Sequence, residues 1–224
     1  INRYFDLLPD TSALKIKYVH MLGVNDPDTR KNLQNEIRAE MQKGDIQVNI
    51  MAKVDRMNLE TQGEQISDAL SALKGFAESE LDSSVVLSAG MNPRLYSYLE
   101  NFSDFFPDQN EQIKKQLILK VSDFRSALIQ AKFLAKKGLW ISEFRIESGL
   151  NCGGHAFATE GYLLGPILEE FKAKKEEMVN ELYEMYTRAL QEKNIEPIPV
   201  PQMKLSVQGG IGTADENNFL MNYY

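Results

Sequence analysis

A single cysteine, Cys152, in 224 residues excludes an internal disulfide. That scarcity fits a reducing compartment, and a cytoplasmic protein is expected. No apolar run approaches the roughly 20 residues needed to cross a bilayer, and the first residues lack the basic, apolar, small-residue order of a signal peptide. A membrane partner is therefore not expected. Basic charge is not in excess either: 25 Lys and Arg against 32 Asp and Glu leave a net charge of −7. A general nucleic-acid binder would carry a basic stripe, so that partner is excluded as well. There are two histidines, His20 and His155, and no cysteine pair, which leaves no spacing suited to zinc. A Walker A loop and a G-x-S-x-G elbow are also missing.

What remains is a chain of 43% hydrophobic and 25% charged residues, the balance of a globular protein able to bury a full core. A single domain spanning 1–224 is expected. The chain begins with Ile1 rather than Met, so either processing or a longer parent chain is expected too.

Strand and helix patterns alternate along it. Leu14–Leu22 alternates apolar and polar residues and reads as a strand. Asp26-Pro27-Asp28 supplies a cap and first turn for a helix to about Gln42. Ile46–Met51 reads as a second strand, and Asn58–Glu78 carries a helical stripe of Ile66, Leu70, Leu73, Phe76 and Ala77. A third strand at Val85–Leu87 precedes a helix opened by Asn92-Pro93. The fourth, Leu117–Val121, leads through Ser122-Asp123 into a helix over Phe124–Lys137, which Gly138 stops. Trp140–Ile146 reads as the fifth strand, followed by a long helical region from about Leu163 to Lys193. Past Pro197–Pro201, a sixth strand over Met203–Val207 precedes a helix from Ala214 to Tyr223.

Such alternation implies βαβ units and a mostly parallel sheet. A closed (β/α)8 TIM-type barrel takes eight strands and typically about 250 residues. Six strands suggest an incomplete barrel, and an open doubly wound parallel sheet is the competing architecture. Periodicity does not separate the two.

Two strands end in paired glycines: Gly153-Gly154, followed at once by His155, and Gly209-Gly210. Bare backbone at a strand end suits a phosphate-bearing cofactor, because N–H groups approach an oxyanion with no Cβ in the way. A helix N-terminus at Thr213-Ala214-Asp215 adds partial positive charge. The plainer reading of each pair is a tight strand-to-helix turn. The intermixed Glu and Lys residues of 169–177 form a solvated helix face with i,i+4 pairing. Met178, Leu182, Met185, Tyr186 and Leu190 make the packing stripe of that helix.

The order of these motifs resembles the nitronate monooxygenase (2-nitropropane dioxygenase) family and the related FMN-dependent enoyl-acyl carrier protein reductases. Asp26-Pro27 with its helix and Val48-Asn49-Ile50-Met51 are similar to that family's helix and G-V-N-L strand. Val85–Pro93 is similar to its V-V-S-F-x-F-G-x-P segment, and Lys120-Val121 with the helix from Phe124 to its K-V-x-x-x-V-x-x-A unit. Cys152-Gly153-Gly154-His155 stands in place of E-A-G-G-H, and Val207–Ala214 resembles the A-A-G-G-I-A phosphate turn. The resemblance implies a barrel that holds FMN at the carboxyl ends of its strands and acts on a small-molecule substrate. Gly209, Gly210 and Gly212 would hold the phosphate, with Gln208 a further cofactor-binding residue. Asn49 and Lys120 would meet the flavin, and Gly153 and Gly154 would leave it room.

By the same resemblance His155 is the general base. An imidazole with an ordinary pKa of about 6.5 can take a proton next to a nitro group or an activated carbonyl at neutral pH. The plainer role is a histidine satisfying a buried carbonyl, and His20, within a strand-like run, has no catalytic case. Asn151-Cys152 replaces the family's Glu-Ala, with Glu147 displaced upstream. Cys152 reads as a small buried filler or a thiol facing the flavin. The expected activity is thus an FMN-dependent oxidoreductase of the monooxygenase type. A flavin-dependent enoyl thioester reductase domain and a non-catalytic barrel scaffold are the alternatives. A homo-oligomer, or association with the remainder of a longer parent chain, is the expected assembly.

Overall fold

Residues Ala13–Leu22 form a helix, correcting the strand expected at Leu14–Leu22. Leu14, Tyr18 and Met21 fall at helical spacing, and together with Phe5, Leu33 and Ile37 they build a small core. Ile16, which alternates with Leu14 and Tyr18 along the sequence, lies on the other side and is 57% exposed, as is Val19. Over nine residues, periods of 2 and 3.6 can both be satisfied. Burial of the Leu14 face against Phe5 and Ile37 decides between them.

The computed structural model describes residues 2–42, 44, 46–50, 55, 66–88, 90–147, 163–209 and 211–224. Two compact units make up the chain, Ile1–Asp45 and Ile46–Tyr224. The first holds three helices: α1 (Asn2–Leu7), α2 (Ala13–Leu22) and α3 (Pro27–Glu40). Phe5 stacks on Tyr18 with ring centres 4.1 Å apart. The α3 start is the one the sequence announces: the Asp26 carboxylate accepts the Thr29 N–H at 2.9 Å, with Pro27 at the first helical position.

The second unit is a parallel sheet with helices. Its strands are β1 (Gln47–Ile50), β2 (Ser83–Leu87), β3 (Lys115–Val121), β4 (Ile141–Glu147) and β5 (Lys204–Gln208). Its helices are α4 (Asp68–Ala77), α5 (Pro93–Tyr98), α6 (Phe124–Ala135), α7 (Leu164–Glu192) and α8 (Ala214–Tyr223). Five strands stand among the described residues where six were expected, because the first became α2. All pairings are parallel, and the spatial order β1-β2-β3-β4-β5 is the order of the chain. Among the described strands there is no reversal of order, so the switch point that defines a doubly wound sheet does not occur.

The two faces of the sheet differ sharply. One carries Ile50, Val85, Leu87, Leu117, Leu119, Val121, Phe144 and Ile146 into a core shared with Leu73, Phe124, Leu134, Phe171 and Tyr186 of the helices. Phe171 joins its layers, with ring centres 5.1 Å from Phe124 and 5.9 Å from Phe144. Gly138, which ends the α6 connection, has φ +74°, and a Cβ there would lie 3.2 Å from Leu190 Cδ2 and 3.3 Å from Phe106 Cε1. Both its backbone and its surroundings therefore demand glycine.

A wholly buried lysine, Lys115, opens β3 at the foot of this core. Its ammonium donates to the Ser79 carbonyl and Oγ, each at 2.9 Å, and to the Leu81 carbonyl, 4.7 Å from the centre of the Phe76 ring. Burial, more than the neighbouring Lys114, pushes its pKa below the usual lysine value, and Asp104 and Asp82 oppose the shift.

The opposite face carries most of the sheet's polar side chains, with Val86 and Ile118 buried among them. A shift of register between Leu117 and Ile118 sets Leu117 against Ile141 but Ile118 against Glu143, so Ser142 is the extra residue of a bulge. Because side chains alternate faces, one extra residue inverts the phase of β4. Phe144 and Ile146 thereby reach the apolar core, and Glu143, Arg145 and Glu147 share the other face with Lys120. Arg145 Nη2 donates to Gln47 Oε1 at 2.8 Å. These residues sit on β4 and β1, about 14 Å apart on a flat sheet at the usual strand spacing. The two side chains meet by leaning over a face that curls inward.

Candidate functional site

At the carboxyl edge of this polar face, Glu147 ends β4 with its side chain buried. Its Oε2 lies 3.1 Å from Lys120 Nζ on β3 and accepts from Gln208 Nε2 on β5 at 3.4 Å. Three adjacent strand ends thus converge on one carboxylate. One step lower, Glu143 Oε1 accepts from Arg145 Nε at 2.9 Å, Arg145 Nη2 at 2.8 Å and Ser206 Oγ at 2.5 Å. Lys120 and Arg145 are direct register partners, so two cations stand side by side. Each is drawn to a different carboxylate, Arg145 to Glu143 and Lys120 to Glu147.

Of the site residues read from the sequence, Asn49, Lys120 and Gln208 lie on this one face. Asn49 is paired in register with Val86 and is exposed near the end of β1. Gly209 follows β5 directly and has φ +81°, a left-handed corner that favours glycine. Gly212 leads into α8. His155, Gly153, Gly154 and Gly210, and Cys152 beside them, lie outside the described residues. Glu147 is the residue the sequence reading passed over. The signal for it was the run Glu143, Arg145, Glu147: charges at every second position of a strand whose intervening residues are apolar.

The turn into α8 closes on the chain's own Glu216 carboxylate. The N–H groups of Gly212 and Thr213 donate to Glu216 Oε2 at 2.8 and 2.9 Å, and Thr213 Oγ1 approaches the same oxygen at 3.2 Å. The Thr213 hydroxyl in turn accepts the Glu216 N–H, completing a capping box. These donors, Gly212 first, hold the Glu216 carboxyl below its ordinary value of 4.5. A carboxylate whose folded pKa is depressed stabilises the fold above its unfolded pKa and loses that contribution as pH falls through the folded value. NMR titration of Glu216 is therefore expected to give a midpoint below 4.5, with the Gly212 and Thr213 amide resonances moving in step. A midpoint at or above that value would remove the amides from any anion-holding role.

No protein-family model matches the chain, and neither a curated protein nor a solved structure matches it. The site must be read from its own chemistry. Four features stand at this edge or follow it: a lysine ammonium paired with Glu147, two carboxamides, a left-handed glycine corner and a pair of amides held by Glu216. Among the described residues, no helix is long and apolar enough to cross a membrane.

Proposed function

We propose that this chain is an FMN-dependent oxidoreductase of the nitronate monooxygenase type, its sheet forming part of a (β/α)8-type wall. The observation that carries the reading is the gathering of Asn49, Lys120 and Gln208 on one curled face, with the Gly209 corner directly behind Gln208. Chain-order parallel pairing supports a barrel wall over a doubly wound sheet. The amides of Gly212 and Thr213 suit a phosphate, which would compete with the Glu216 carboxylate for them.

FMN, when bound, supplies the electron acceptance that no side chain here offers. The chain's residues do the rest. Gly209, Gly210 and Gly212 would accommodate the phosphate, and the amides of Asn49 and Gln208 offer hydrogen bonds to the ring edge. The Lys120 ammonium would favour charge developing on the flavin. His155, the base implied by the family resemblance, would remove the substrate proton at its imidazole. Substrate is expected to be a small molecule with an acidic C–H.

Titration with FMN, followed by quenching of flavin fluorescence, tests the reading. Binding is expected, and Gly209→Val should weaken it about tenfold, since a β-branched residue in a left-handed corner costs roughly 1–2 kcal/mol. Protein that purifies colourless and takes up no FMN ends this assignment.

A further inference from the structure

The Lys120–Glu147 contact joins the two most buried opposite charges at the carboxyl edge, and neither is needed to satisfy the network beneath them. Arg145 is already served by Glu143 and Gln47. Glu143 already accepts from Arg145 and Ser206. Lys120, one strand away in direct register with Arg145, has Glu147 as its one ion-pair partner among the described residues. The Lys120 side chain is 16% exposed and that of Glu147 4%, so Lys120 is the more accessible member of the pair.

From this we infer that Glu147 is a positioning residue that holds Lys120 at the edge and masks part of its charge, setting how strongly the site favours electron-rich over electron-poor forms of its ligand. The inference rests on the FMN reading. Reduction adds negative charge to a flavin, and a nearby cation stabilises that form, the more so in a partly water-excluded site. A carboxylate 3.1 Å from the ammonium offsets this pull. Gln208, hydrogen-bonded to the same carboxylate oxygen, fixes it from the far side.

The test is the midpoint potential of bound FMN in wild type, Glu147→Gln, Lys120→Gln and the double variant. Glu147→Gln should raise the potential by about 30 mV, a tenfold gain in preference for the reduced cofactor of a two-electron couple. Lys120→Gln should lower it, and the double variant should fall between the two single variants, because the opposite charges offset one another at the flavin. An ion pair that merely ties three strand ends together would alter the unfolding midpoint and leave the potential in place. An unchanged potential in Glu147→Gln overturns the inference. So does a potential in Lys120→Gln at or above that of wild type; if Glu147→Gln alone folds poorly, the double variant is compared with Lys120→Gln, and equal potentials there overturn the inference too. Wild type that binds no FMN is a different failure, of the FMN reading itself, and takes this inference with it.

Discussion

Phe171→Ala is expected to lower the unfolding free energy by about 3–5 kcal/mol, the usual cost of removing a fully buried phenylalanine. The residue is 0% exposed, and its ring meets Phe124 of α6 and Phe144 of β4. It is therefore the point where two helices and the sheet share one contact. Close-packed surroundings relax only partly around the lost ring, so a cavity cost adds to the transfer cost. Against a total stability of roughly 5–15 kcal/mol, one such change removes a large share. Phe219→Ala is the control: the side chain is 57% exposed on α8, which buries none of its residues, and a change within about 0.5 kcal/mol is expected. Denaturant unfolding with an unchanged slope measures both. A Phe171→Ala cost below about 1.5 kcal/mol would mean the α6–α7–sheet junction is not the anchor described here.

The second large effect concerns chemistry. His155→Ala is expected to reduce turnover of a nitroalkane-type substrate by about 10²–10⁴-fold, the usual worth of a positioned general base. FMN affinity should stay within a few-fold of wild type, because the phosphate contacts proposed above belong to Gly209, Gly210 and Gly212. Equal turnover by the variant, with flavin still bound, would assign proton removal to some other group.

Most helix starts were legible in the sequence for local reasons, but not that of α4: Ser67 caps it and leaves Ile66 outside, where the stripe read from Asn58 had placed Ile66 within the helix. Asp26, Asn92 and Asp123 each accept the N–H three residues ahead, as their positions before Pro27, Pro93 and Phe124 suggest. The start of α8 at Ala214 follows from a Thr213–Glu216 pair that satisfies itself within four residues. Gly138 stops its helix because only glycine fits both its φ and its neighbours. Leu14–Leu22 was misread because so short a run fits two periods at once, and the partner face that settles it comes from Phe5 and Ile37, outside the run.

The site was legible as a set of residue types and illegible as a set of contacts. Asn49, Lys120 and Gln208 were named from the motif resemblance, but the Lys120–Glu147 pair depends on register. That register depends in turn on Ser142, whose bulge carries no glycine or proline to announce it. Without that one-residue shift, Glu147 would face the helices and Lys120 would stand opposite an apolar side chain.

Chain-order pairing carries a consequence for how the molecule is made. Each strand docks on the one synthesised just before it, so the sheet can lengthen from β1 as the polypeptide emerges, with no strand held waiting for a distant mate. The exception is the bond from Arg145 to Gln47, which spans 98 residues and can close only after four strands are in place. Its closure couples the first strand made to the fourth, which have two other strands between them.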